Sequence, residues 1–155
     1  MKRVLAAIVL LVITALLAAQ APRPTPIADD RFITCDVTVD SGQTPLAAWQ
    51  IDLKASIDGG TVELVGVEGA ASGAYTQPAF YDPDALTHDR VVLGAFSTAK
   101  PETLPTGATR IARLHMRITG NVAAKPEFTA TLITAADPAG VKITPTVRAS
   151  LGDTP

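Results

Sequence analysis

The sequence predicts an all-β domain built as a two-sheet antiparallel sandwich, and three observations carry that prediction. From Phe32 onward, apolar and polar residues alternate at period two in four separate stretches. Gly, Pro or Asp breaks the alternation every ten residues or so, and no stretch after the N-terminal apolar run repeats at helical spacing. Strict alternation puts one face of a strand in a core and the other in water, and short strands punctuated by turn residues make sandwiches.

The chain of 155 residues is long enough for one domain with its own core. Residues 1–21 read as an export signal. Lys2 and Arg3 precede an apolar run from Val4 to Ala19, and Ala19-Gln20-Ala21 supplies a small-x-small cleavage pattern. Pro22 sits unfavourably for a cut directly before it. The competing reading is an uncleaved anchor, for which the run is at the short end of the roughly 17–25 residues that span hydrocarbon. The expectation is therefore a secreted or periplasmic domain, touching a membrane only through that segment if it stays attached. Residues 22–31, with Pro22, Pro24 and Pro26, read as an extended Pro-rich tether. The folded domain is expected over 32–151, followed by a tail at 152–155.

Within the domain, "ITCDVTV" (33–39) turns Ile33, Cys35, Val37 and Val39 to one side. "WQIDLKAS" (49–56) does the same with Trp49, Ile51, Leu53 and Ala55, which makes Trp49 a core residue. "TVELVGVEG" (61–69) and "RVVLGAF" (90–96) are apolar on both sides, as strands covered on both faces would be. "RIARLHMRIT" (110–119) sets Ala112, Leu114, Met116 and Ile118 against Arg113, His115 and Arg117. "EFTATLITA" (127–135) is apolar through Phe128, Ala130 and Leu132. "VKITPTVRASL" (141–151) reads as a last strand with Val141, Ile143, Val147, Ala149 and Leu151 inward. Pro145 cannot donate to a ladder, so that strand belongs at an edge or carries a bulge.

Charge and cysteine content exclude some functions. Without Lys2 and Arg3, eleven basic residues face fifteen acidic ones, a formal charge of −4. That balance argues against nucleic acid, which needs a clustered positive field. Cys35 is the single cysteine, so no internal disulfide forms, and it reads as a small buried hydrophobe. "LPTG" (104–107) is one residue short of a cell-wall attachment signal and lies mid-chain, so it reads as a turn.

The order of these strands resembles that of cohesin domains. "PLAAWQIDLKASIDGGTVELVGVEGA" is similar to their early strands, "DRVVLGAFST" to the central strand that follows, and "LPTGATRIARLHMRITG" to a glycine turn leading into a strand that ends in glycine. "FTATLITAADPAGVKITPTV" resembles the closing hairpin, so the likeness spans nearly all of 32–151. The resemblance implies a jelly-roll β-sandwich of the cohesin and carbohydrate-binding-module type. It implies a non-catalytic module that binds an extracytoplasmic protein partner, or alternatively a polysaccharide.

The chemistry-bearing residues gather in "GAYTQPAFYDPDALTHDR" (73–90) and in the charged stripe of 113–117. Tyr75, Phe80 and Tyr81 are candidates for stacking on a ligand. The competing reading, preferred here, is that Phe80 and Tyr81 fold back to cap the core between Pro78 and Pro83. Asp82, Asp84 and Asp89 offer oxygen ligands for calcium, but "YDPD" is also a turn in which aspartates bond local amides, and no calcium-loop spacing is present. A hydrolase using Asp82 and Asp84 is a third reading, lacking a second carboxylate cluster. Arg113, His115 and Arg117 form a stripe suited to an acidic surface or anionic polysaccharide. Otherwise they are the wet side of a sheet, paired with Asp36, Asp52 or Glu63. No nucleophile-elbow or Cys–His arrangement is present, and no cofactor is expected.

Overall fold

The computed structural model describes residues 30–153, so the signal at 1–21, nearly all of the tether and the last two residues lie outside the described residues. Seven strands follow one another: β1 (Asp30–Asp40), β2 (Ala48–Ser56), β3 (Gly60–Gly69), β4 (Arg90–Phe96), β5 (Ala108–Gly120), β6 (Glu127–Ala136) and β7 (Thr146–Leu151). The odd strands form one sheet in the order β3-β5-β1-β7, and the even strands form a second in the order β4-β2-β6. All pairings are antiparallel, and every connection crosses from one sheet to the other, as in a jelly-roll winding.

Between the layers lie the residues that alternation had assigned inward. Cys35, Val37, Val39, Trp49, Ile51, Leu53 and Ala55 are buried from β1 and β2, and Leu114, Met116 and Ile118 are buried from β5. Burying a large aliphatic side chain contributes about 1.5–3 kcal/mol each, so this shared interior is what holds the two sheets together.

Three bulges explain where the alternation slips. In β5 the register jumps opposite Val37 and Thr38, which leaves Ile111 without a partner and buries it beside Ala112. In β6 the jump opposite Gln50 and Ile51 frees Ile133, which is exposed, and restores Ala135 to the core. In β3 the jump between Leu64 and Gly66 leaves Val65 outside while Leu64 stays buried. One extra residue reverses the facing of everything beyond it.

These features correct two expectations. Neither β3 nor β4 is covered on both faces, since Val65 and Val92 stand exposed on their outer sides. The adjacent apolar pair in β3 reflects its bulge, and in β4 Val91 and Leu93 point inward while Val92 is exposed. The last strand is also shorter than expected. Val141 is 60% exposed, and residues 137–141 form a turn in which the Asp137 Oδ1 accepts from the amides of Ala139 and Val141, each at 2.9 Å. Gly140 completes it at φ +78°, a left-handed conformation that glycine adopts without strain. Pairing with β1 begins only after Pro145, and β7 is an edge, one of the two placements expected for the strand beside the proline.

Candidate functional site

The segment between β3 and β4 is stitched into the scaffold at both ends. The Thr87 amide donates to the Leu64 carbonyl and the Leu64 amide to that of His88, both at 2.8 Å, which ties the segment to the free edge of β3. Phe80 and Gly94 exchange a pair of backbone bonds at 2.8 and 2.9 Å, which adds a rung to the free edge of β4. Asp82 caps a 3₁₀ turn at Pro83–Ala85, its Oδ1 accepting from the Asp84 amide at 3.0 Å. The stretch is a corner closing the open side of the sandwich.

Its aromatics divide differently from the expectation. Tyr75 is buried at 4% exposure, edge-on to Trp49 with ring centroids 6.0 Å apart. Its hydroxyl donates to the Leu46 carbonyl at 2.8 Å, and burial pushes its pKa up to about 12. No ring face is left for a ligand, so Tyr75 is a core residue and not a platform. Tyr81 is half-buried against the core, as a cap would be. Phe80 is not a cap: it is 72% exposed, because its backbone is held to β4 with the ring outside the sandwich.

Phe80 has a companion that the sequence reading did not single out. Phe96, at the end of β4, is 66% exposed, and the two rings lie 6.3 Å apart with their planes 12° from parallel. With Val92 they form an apolar patch on the outer face of the three-stranded sheet. A groove of about 820 Å³ runs along it, lined also by Gln50, Tyr81 and Asp82. The signal available in the sequence was the apolar outward position of "RVVLGAF", read instead as a covered strand. On the same face Arg90 grips Asp52 through Nε and Nη2 at 2.9 and 2.7 Å, so Asp52 is taken by the second sheet and not by the charged stripe.

The stripe of Arg113, His115 and Arg117 lies on the outer face of the four-stranded sheet, and each of the three side chains meets a carboxylate. Arg113 holds Asp36 in a two-pronged bond at 2.6 and 2.8 Å, and Arg110 adds a third contact at 3.3 Å. The hydrogen bonds from Arg113 hold the Asp36 carboxyl below the usual range. Arg117 pairs with Glu63 at 3.1 Å, and His115 Nε2 lies 2.8 Å from Glu68 Oε1. Registers that set Asp36 opposite Arg113 and Glu63 opposite Arg117 make this a laced, hydrated surface.

Asp82 and Asp84 sit exposed on one turn and do not face each other across a cleft, as the hydrolase reading requires. Asp89 lies 4.0 Å from Lys54, and among the described residues no group of three or more His, Cys, Asp or Glu could hold a metal. Cys35 is fully buried, and burial pushes its thiol up to about 12. At "LPTG", Gly107 turns the chain at φ +66° and donates to the Gly42 carbonyl at 2.6 Å.

These layers and their winding define a cohesin-like β-sandwich fold. Among solved structures, the chain is similar to one from the crystal structure of the CaDoc0917–CaCohA2 cohesin–dockerin complex, with a TM-score of 0.56 and 17% identity over 74% of this chain and 82% of that one. No protein-family model matches the chain, and no curated protein does.

Proposed function

We propose that the chain is an exported, non-catalytic binding module whose three-stranded sheet presents its outer face to an extracytoplasmic protein. The observation that carries the reading is the exposed Phe80–Phe96 pair with Val92 along the groove. Contiguous exposed apolar surface marks interaction sites, and aromatic residues are enriched at the cores of interfaces. The opposite face is already satisfied by its own ion pairs, which makes it the poorer candidate. The cohesin-like fold supports the class of function, since the similar solved cohesin is bound to a dockerin. Export rests on the signal read in residues 1–21.

The test is capture of a partner from secreted and envelope fractions by the full chain, repeated with substitutions on each face. Phe96→Ser is expected to weaken capture by about tenfold or more, as loss of an interface aromatic does, while Arg117→Ala leaves it unchanged. Loss with Arg117→Ala and retention with Phe96→Ser reverses the assignment of faces.

Polysaccharide binding is a second reading, favoured by the same near-parallel rings on an open sheet face. It predicts saturable glycan binding that Phe96→Ala abolishes. Glycan binding indifferent to that substitution removes it.

A further inference from the structure

The groove beside the aromatic pair has an electrostatic direction. Its charged lining residues are Arg90 and Asp82. Arg90 is already committed, since the Asp52 carboxylate holds its Nε and Nη2 at 2.9 and 2.7 Å. Asp82 is not. Its Oδ1 accepts from the Asp84 amide at 3.0 Å, and among the described residues no cation lies within 4.0 Å of either carboxylate. Both aspartates are exposed on the same 3₁₀ turn.

The Phe80–Gly94 bridge fixes the layout. It is antiparallel, so Asp82, two residues past Phe80, lies toward Val92 and away from Phe96. Phe96 and Val92 are four residues apart on β4, about 13 Å at the rise of a strand. One end of the groove therefore offers two near-parallel rings, and the other a carboxylate that no cation neutralises. The same bridge occupies the N–H and C=O of Gly94, so a partner cannot run along β4 as an added strand. Recognition here falls to side chains.

We infer that the groove takes a polypeptide segment in which an apolar cluster is flanked by a lysine or arginine. The cluster packs on Phe80, Phe96 and Val92, and the cation meets Asp82 at the far end. This rests on the aromatic face being the binding face, and adds the charge of what binds there. A basic flank gains an ion pair without breaking one, because Asp82 has no cation to give up. An acidic flank meets Asp82 and Asp84 while the Arg90 guanidinium is engaged elsewhere, and juxtaposed like charges suppress binding.

The probe is a displayed library of random twelve-residue peptides, selected on the immobilised full chain and on its Phe96→Ser variant. Peptides that need Phe96 are expected to carry Lys or Arg beside Leu, Phe or Trp, and to be poor in Asp and Glu. The strongest of them is then titrated in two forms, as selected and with its basic residues changed to Gln, against the unaltered chain and Asp82→Asn. Asparagine keeps the side-chain oxygen that caps the 3₁₀ turn, so this variant removes the charge and leaves the cap. The basic form is expected to bind Asp82→Asn about two- to fivefold more weakly, the scale of an ion pair partly in water. The Gln form is expected to bind both chains alike. Added salt should weaken the basic form more than the Gln form, and this comparison decides the matter should Asp82→Asn fail to fold. Phe96-dependent peptides that are neutral or acidic, a basic form indifferent to Asp82→Asn, or equal salt sensitivity of the two forms overturns the inference and leaves the aromatic face as the binding face. A selection in which no peptide depends on Phe96 overturns the aromatic-face reading, and the inference with it.

Discussion

At the scale of single residues, Asp36 shows how far alternation reads and where it stops. Its outward direction on β1 was legible, and so was a pairing with the cations of β5, because facing residues of opposite charge are cross-strand neighbours. That one carboxylate serves both Arg110 and Arg113 was not legible, because the bulge at Ile111 brings the two arginines together. The folded-state pKa of Asp36 is depressed by Arg113 first. Its contribution to stability is therefore full above the unfolded carboxylate value of about 4 and is lost as pH falls through the lower folded value. Asp36→Asn is expected to lower stability by about 1–2 kcal/mol at neutral pH, moderated by solvent around a partly exposed pair. Denaturant melts should show that difference shrinking below pH of about 4; a difference constant down to strong acid contradicts the assignment. Tyr75 makes the opposite point. Nothing in its neighbours distinguishes it from Tyr81, and only the fold reveals that its hydroxyl reaches Leu46 across the top of the core.

At the scale of elements, strands were legible wherever period two ran unbroken, which is why β1, β2 and β5 came out with the correct faces. The reading faltered where backbone chemistry overrides periodicity. In "DPAGVKITPTV" the Asp137 carboxylate captures two amides and bends the chain, so the segment pairs with β6 only through a single bridge at Lys142 and Ala136, with Val141 exposed and Ile143 packed against the core. In β3 and β4 the apolar residues on both sides suggested coverage, but coverage depends on neighbours in space, and no layer covers the outer Val65 and Val92, which are exposed. Close approach is the one requirement that a single glycine states plainly. At Gly69 an added methyl would strike the carbonyl oxygens of Tyr75, Thr76 and Gln77, because the corner folds back onto the end of β3 there. The Ala70 amide donates to the Tyr75 carbonyl at 2.7 Å in the same turn. Gly69→Ala is expected to destabilise the fold by about 1–3 kcal/mol, as overpacking against backbone does, and to lower the melting temperature. Gly73→Ala is a useful contrast, since its cost arises from φ +84° and not from crowding.

At the scale of the whole molecule, two sheets with the same inner chemistry have outer faces of different kinds. The four-stranded sheet holds Arg113, His115 and Arg117 against carboxylates of its own strands, and the three-stranded sheet leaves Phe80, Val92 and Phe96 in water beside a groove. That contrast was only partly visible in the sequence. The charged stripe could be read from alternation, whereas the aromatic pair joins residues from a corner and a strand end that only the Phe80–Gly94 bridge brings together. The fold class was legible because period-two alternation recurs in four stretches of the chain; the site was not, because it is assembled between elements. The function proposed for the molecule depends on which face meets the partner. Hydrogen-exchange footprinting of the full chain with its captured partner is expected to protect the amides of β4 and of residues 79–82 while leaving those of 113–117 as in the free chain. Protection concentrated at 113–117, with β4 and the Phe80 segment unchanged, would contradict it.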